Sequence, residues 1–313
     1  MNMRFTRIAR AVLCMVVCVA VPVFAQGERP LTFYSGYGPG TNTDTALRTL
    51  ADLVAKQTNR RVIVENKPGA SGTFAASSVI AAKPDGTVLA QAPISVFRMP
   101  HINAAFDPRK DFTWIIGVSG YRFATMVKGD APWKTWRDII DHARANPGKF
   151  TYGTPGQASS LHITMEDIAE REGIKWNAIP YKTGTWVALM GGEINALATS
   201  PQWSFVESGQ VRVLAVWTDQ RNPRLPDVPT LKELGYNIVV SSPWGLVGPR
   251  GMAPATVKML HDTIKRAMDN PEFAKLIERM DQEVSYMSSE VYAKFATTTF
   301  EHERGVVKRF GLK

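Results

Sequence analysis

The chain predicts an α/β protein of two lobes facing one cleft, each lobe a mostly parallel sheet flanked by helices. Three observations carry that prediction. Strand-like apolar runs alternate with helix-period runs from Leu31 to Thr199, the pattern of repeated βαβ units. Two similar turns, YGPGTNTD (Tyr37 to Asp44) and YGTPGQASS (Tyr152 to Ser160), stand about a hundred residues apart, each between a strand-like and a helix-like run. The tail from Pro254 onward then reads as helices, which need a lobe already built to pack against.

Taken in order, LTFYS from Leu31 is a strand, and Thr43 to Gln57 is a helix with Ala46, Leu47, Leu50, Leu53 and Val54 on one face. RVIVE (Arg61 to Glu65) is a strand, Thr73 to Ala82 a helix, and TVLAQAP (Thr87 to Pro93) a third strand. Such a βαβαβ unit defaults to a parallel sheet with right-handed crossovers. The second series starts at Ala124 with an ATMV strand, then a helix from Thr135 to Ala145 and the strand FTYGT. A helix from Ser159 to Arg171, the strand NAIPY, a short helix and the strand INALAT follow. After VRVLAV (Val211 to Val216) comes a strand-like stretch from Tyr236 to Val247, then helices Pro254 to Met268, Pro271 to Met280 and Ser288 to about Glu303. Pro254 and Pro271 fit the first turn of a helix, where the missing N–H costs nothing. The second crossing between lobes is expected near Ser241 to Trp244. The expected lobes are therefore 26–123 with 242–313, and 124–241.

The N-terminus reads as an export signal over residues 1–25. Arg4, Arg7 and Arg10 precede an apolar run from Ala11 to Val21, and Val23-Phe24-Ala25 offers small residues for cleavage after Ala25. The run falls short of the roughly 20 residues that span a bilayer comfortably. Both cysteines, Cys14 and Cys18, lie inside it. A mature chain from Gln26 would then have no disulfide, thiolate metal site or cysteine nucleophile. Removing the three leader arginines from 37 basic residues leaves 34 against 28 acidic, a net +6 in place of +9. Apart from pairs such as Arg60-Arg61 and Lys308-Arg309 the basic residues are scattered, which gives a nucleic-acid surface little support.

The two turns carry the chemistry. The first N–H groups of a helix lack internal partners, and the aligned peptide dipoles put partial positive charge there. Gly and Pro keep side chains out of the way, while Thr41, Asn42 and Thr43 in one turn and Gln157, Ser159 and Ser160 in the other add short hydrogen-bonding groups. The expected cargo is an anion, a carboxylate.

Several motifs stand in the order and rough spacing of one family: YGPGTNTDTALR (Tyr37 to Arg48), ENKPGASG (Glu65 to Gly72), KPDG (Lys83 to Gly86) and NPGKFTYGTPGQAS (Asn146 to Ser159). His162, IPYK (Ile179 to Lys182), Gly191-Gly192 and WGLVGP (Trp244 to Pro249) complete the set. Almost the whole mature chain thereby resembles the Bug-type extracytoplasmic solute receptors of tripartite tricarboxylate transporters. The resemblance implies a two-lobed periplasmic-binding-protein (Venus flytrap) fold that closes on a small organic carboxylate and hands it to a membrane permease. It also implies that backbone N–H groups and waters hold the carboxylate rather than a dedicated Arg.

Carried over by position, Tyr37, Gly40, Thr41, Asn42 and Asp44 form the first-lobe turn. An acid at Asp44 would repel the cargo, so its expected job is to cap the helix and shape the loop. Ser71, between Ala70 and Gly72, forms a neighbouring wall; Pro68-Gly69 is a simple turn. On the second lobe Thr154, Gly156, Gln157, Ala158 and Ser159 supply opposing donors. His162 stands one turn further in, as ligand donor or loop-holder. Tyr181, Thr183 and Thr199 reach the cleft from the side, and Lys182 reads equally as a solvated charge. The chain departs from the family pattern with Gly40-Thr41 where a Gly-Gly pair is usual, Gly36 where a Pro is customary, and Trp186 in a compressed TGTWVALMGG. Trp186, Phe74, Phe97 and Trp203 are candidates for pocket or core.

An enzyme is not expected. Gly69-Ala70-Ser71-Gly72 breaks the GxSxG spacing, GPGTNTD lacks the Walker lysine, and His162 with Glu166 has no further histidine pair for a metal. No cofactor and no metal are expected. A receptor that presents its ligand to a membrane sensor kinase is the alternative partner reading, and a periplasmic enzyme acting on a carboxylate the remoter one. A monomer is the simplest expectation.

Overall fold

The computed structural model describes residues 29–156 and 158–312. The expected signal peptide and Gln157 lie outside the described residues. The first series runs β1 (Leu31–Ser35), α1 (Asn42–Thr58), β2 (Val62–Asn66), α2 (Thr73–Val79), β3 (Val88–Ala92), the short α3 (Ser95–Arg98) and α4 (Pro100–Asn103), and β4 (Phe112–Tyr121). The second runs β5 (Ala124–Lys128), α5 (Trp136–Ala145), β6 (Thr151–Thr154), α6 (Ser160–Glu172) and β7 (Asn177–Pro180). It continues with α7 (Thr185–Gly191), β8 (Ala196–Thr199), α8 (Trp203–Glu207) and β9 (Val211–Val216). The chain then adds β10 (Ser242–Pro249), α9 (Pro254–Met268), α10 (Pro271–Arg279), β11 (Glu283–Met287) and α11 (Ser289–Arg309).

These strands form two sheets, ordered β11-β4-β10-β3-β1-β2 and β7-β6-β8-β5-β9 among the described residues. Parallel pairing is confined to β2–β1–β3 in one and β7–β6–β8 in the other. β10 pairs antiparallel with both β3 and β4, β11 with β4, and β5 with both β8 and β9. Each sheet is thus mixed rather than mostly parallel. The reason is the path of the chain: strands that enter a sheet by crossing directly from the other one are free of the βαβ crossover that enforces parallel direction.

Buried apolar residues cover both faces of each sheet. On one side of the first sheet Phe33, Leu47, Leu50 and Ile264 bring α1 and α9 onto the strands; on the other, Phe97, Trp114, Tyr292 and Phe300 seat α3 and α11. Met126, Leu189, Leu197 and Val213 seat α7 in the second sheet. Between the sheets Tyr121 stacks on Phe123 (ring centroids 5.7 Å) and on Trp244 (6.5 Å), and Phe123 meets Trp217 edge-on (6.0 Å). That aromatic row floors the cleft where the chain passes from β4 to β5.

The regular units match their expected spans to within a few residues. The strand expected from Tyr236 begins instead at Ser242; residues 237–241 are irregular. The last helix runs on to Arg309 rather than stopping near Glu303. β4, β11 and the short helices α3, α4 and α8 have no counterpart in the expected element order. β4 is buried along nearly its whole length, so it shows no alternation, and its Gly117, Ser119 and Gly120 dilute the strand signal. β11 is a short edge strand, EVSYM, with exposed Val284 and Tyr286.

Candidate functional site

A cavity of ≈ 280 Å³ opens between the two sheets, with the N-termini of α1 and α6 at its wall. Thr41 is the N-cap of α1: its Oγ1 accepts from the Asp44 N–H (3.3 Å) and donates to the Gly38 carbonyl (2.9 Å). Ser159 is the N-cap of α6, its Oγ accepting from the His162 N–H (3.2 Å). In both helices the hydroxyl satisfies the third amide and leaves the first two without intrahelical partners. Those amides belong to Asn42 and Thr43 on one side and Ser160 and Leu161 on the other, and all four residues line the cavity.

The first-lobe turn is held from behind. Asp44 is 2% exposed, does not line the cavity, and accepts from Gly40 N (3.0 Å), Arg48 Nε (3.0 Å) and Asn66 Nδ2 (2.6 Å). Helix capping belongs to Thr41; Asp44 shapes the loop. Gly36 donates its N–H to Gln91 Oε1 (3.1 Å), and a Cβ at this position would fall 2.3 Å from the Gly72 carbonyl oxygen. That close approach calls for glycine, and the Gln91 bond calls for an N–H.

Tyr37, Gly40, Thr41, Asn42, Ser71, Ser159, Tyr181, Thr183 and Thr199 all line the cavity. Thr154, Gly156, Ala158 and His162 do not. Thr154 Oγ1 lies 2.9 Å from Ser159 Oγ and 3.2 Å from the Gly156 carbonyl, bracing the turn. His162 Nδ1 is buried without a hydrogen-bond partner among the described residues. Burial lowers its pKa from 6.5 and nearby Arg98 acts the same way, against the opposing pull of Glu166. Burial thus favours the neutral ring, which does not line the cavity. Lys182 also lines the cavity, exposed, and is the one charged side chain on its wall among the described residues.

Sequence reasoning missed part of the wall. Tyr121 accepts from Thr43 Oγ1 (2.7 Å) and Gln91 Nε2 (2.9 Å), which leaves its own O–H to donate. Burial pushes the Tyr37 and Tyr121 hydroxyls well above the usual phenol range, so both remain neutral donors. Ile94, Ser95, Phe123, Gln202 and Ser242 also line the cavity. The YRF step at Tyr121 to Phe123, where one sheet passes to the other, was the available signal. Of the four candidate aromatics, Trp186 lines the cavity and tilts against Phe205 at 5.4 Å. Phe97 and Trp203 are core, and Phe74 is 52% exposed away from the cavity. Among the described residues no group of three or more His, Cys, Asp or Glu could hold a metal ion, and no helix is long and apolar enough to cross a membrane.

The model of the tripartite tricarboxylate transporter family receptor matches residues 46–312. This chain belongs to that family. As a family member it is a Bug-type solute-binding protein and not an enzyme. It is 43% identical over 301 residues to the "UPF0065 protein in gbd 5'region" of Cupriavidus necator, covering 94% of this chain and 92% of the relative. Among solved structures it is similar to the periplasmic binding protein BugD, at 24% identity and a TM-score of 0.86 over 91% of this chain and 99% of that one. It is also similar to MatC from Rhodopseudomonas palustris, solved with bound malate, at 22% identity and a TM-score of 0.82 over 90% and 99% of the two chains. In this member the Thr41 hydroxyl closes the first turn onto the Gly38 carbonyl.

Proposed function

We propose that the protein is a periplasmic receptor that captures a small organic carboxylate between its lobes and delivers it to a tripartite tricarboxylate-type permease. The observation that carries this reading is the convergence of two capped helix N-termini, at Asn42–Thr43 and Ser160–Leu161, on one cavity of ≈ 280 Å³. A helix N-terminus favours a nearby anion by about 0.3–1 kcal/mol, up to about 2 when partly buried, and charge-assisted hydrogen bonds add about 1.5–3 each. Two such ends together with several such bonds reach the roughly 8 kcal/mol of micromolar binding. The cavity suits a small acid, since its ≈ 280 Å³ lies just below the ~300–1,000 Å³ of common ligand pockets. MatC, of the same fold, carries malate.

The ligand-contacting set in this reading is Tyr37, Gly40, Asn42, Thr43, Ser71, Ser159, Ser160, Tyr181, Thr183 and Thr199. Thr41, Asp44, Thr154 and His162 hold the turns. The lobes are 26–123 with 242–313, and 124–241, hinged at Arg122-Phe123 and just before Ser242. Export follows from the leader over 1–25, and the receptor acts as a monomer that docks by its exposed lobes. The test is a thermal-shift screen of the mature chain against aliphatic di- and tricarboxylates, aromatic carboxylates and their amides. An acid should raise the melting temperature where its amide does not; equal shifts from acid and amide would defeat the anion argument.

A further inference from the structure

Arg98 closes α3 on the first-sheet side of the molecule and is 5% exposed. Its guanidinium makes a two-pronged pair with Glu303 of α11, Nε to Oε2 at 2.5 Å and Nη2 to Oε1 at 2.9 Å, and Glu303 is itself 4% exposed. Its remaining arm crosses to the other lobe, where Nη1 donates to the Ala158 carbonyl at 2.7 Å. A buried ion pair roughly breaks even against an apolar pair of the same size, so stability alone does not account for this one.

The third bond has a specific consequence. Ala158 has φ +60°, the left-handed region that a residue with a side chain adopts rarely. It directly precedes Ser159, the N-cap of α6. Fixing the Ala158 carbonyl fixes the peptide plane that joins Ala158 to Ser159, and with it the direction of the Ser160 and Leu161 amides. A separate contact, Arg309 Nη2 of α11 to Asp167 Oδ1 of α6 at 2.6 Å, ties α11 directly to α6.

We propose that Arg98, oriented by Glu303, is a positioning residue: from the first lobe it holds the N-cap turn of α6 so that the second lobe's amides aim into the cavity. The anion-binding end of one lobe is thus completed by a side chain of the other, and it is complete only when the lobes are together. This rests on the carboxylate reading of the cavity.

The test uses the full mature chain. In Arg98→Met with Glu303→Met both charges leave together, so neither is stranded in the interior. Without ligand, amide hydrogen exchange at His162 and Ile163, whose N–H groups donate to the Ser159 hydroxyl and carbonyl, should accelerate at least tenfold, while that at Asp44 and Thr45, bonded in the same way to Thr41, stays unchanged. Arg98→Lys, which keeps the charge and one donor, should restore part of the protection, and Glu303→Gln should loosen the same two amides in a milder background. Binding of malate, adipate and benzoate, each against its amide, is then titrated. Any acid that binds the parent should bind the double variant at least tenfold more weakly, with the acid-over-amide preference reduced. Unchanged exchange at His162 and Ile163 in a folded variant overturns the positioning role even if acids bind the parent. Localised exchange with no acid bound by the parent upholds positioning and defeats the carboxylate reading instead.

Discussion

At Asp44 a carboxylate stands in the same first helical turn as amides that would hold an anion, and its three donors explain why the site tolerates it. Gly40 N, Arg48 and Asn66 take up its oxygens on the side away from the cavity. Asp44→Ala should destabilise the protein by about 1–3 kcal/mol, the cost of stranding buried donors, read by urea unfolding, and should weaken carboxylate binding in a titration. His162 gives a pH prediction. Its folded pKa lies below the unfolded 6.5, so the unfolded chain binds the extra proton first. That contribution to stability is complete above pH 6.5 and is lost as pH falls through the lower folded value. The melting temperature of His162→Gln should therefore drop less than the parent's on acidification below pH 6.5; parallel curves would remove His162 from the acid limb. The residue types at both turns were legible in the sequence because Gly, Thr, Asn and Ser have few other reasons to cluster between a strand and a helix. The division of labour was not legible: whether Thr41 or Asp44 caps, and whether His162 faces the cavity, depends on side-chain directions that spacing leaves open.

Among the elements, α1 and α6 present the amides of the proposed anion site at their first turns, and their caps are separable from the rest of the lobe. Ser159→Ala should cost about 1 kcal/mol of stability, as for N-cap serines generally, and should weaken binding without unfolding the second sheet, as judged by circular dichroism and calorimetry. On α7, Trp186 fills one side of the cavity. Trp186→Ala should enlarge the site and shift preference in the thermal-shift panel toward bulkier acids; an unchanged ranking would assign Trp186 to packing against Phe205. The longer helices and the parallel strands were readable because their apolar periods are unambiguous, whereas α3, α4 and α8, of four or five residues, are too short to show a period. β4 was not, since a strand buried along its length has no alternation. β11 was not, since an exposed edge of five residues carries little pattern at all.

For the molecule as a whole, the proposed receptor function makes closure the functional motion, and contacts between the sheets gather on both sides of the cleft. Asn42 Nδ2 donates to the Pro201 carbonyl at 3.1 Å across the front, while Arg122 meets Asp281 at 3.0 Å and Asn222 also bonds Asp281 behind. A bound carboxylate should lower the radius of gyration in solution scattering, and no change at saturation would count against the flytrap mechanism. By itself the sequence determined the α/β class, the two matching turns and the anion-seeking chemistry, because strand period, helix period and turn composition are local properties. The tertiary structure alone decided the antiparallel halves of the sheets, the floor built from Tyr121 and Phe123, and the reach of Arg98 from Glu303 to Ala158. Those join residues up to 205 positions apart, and such partners are selected by packing and desolvation, which no local pattern records.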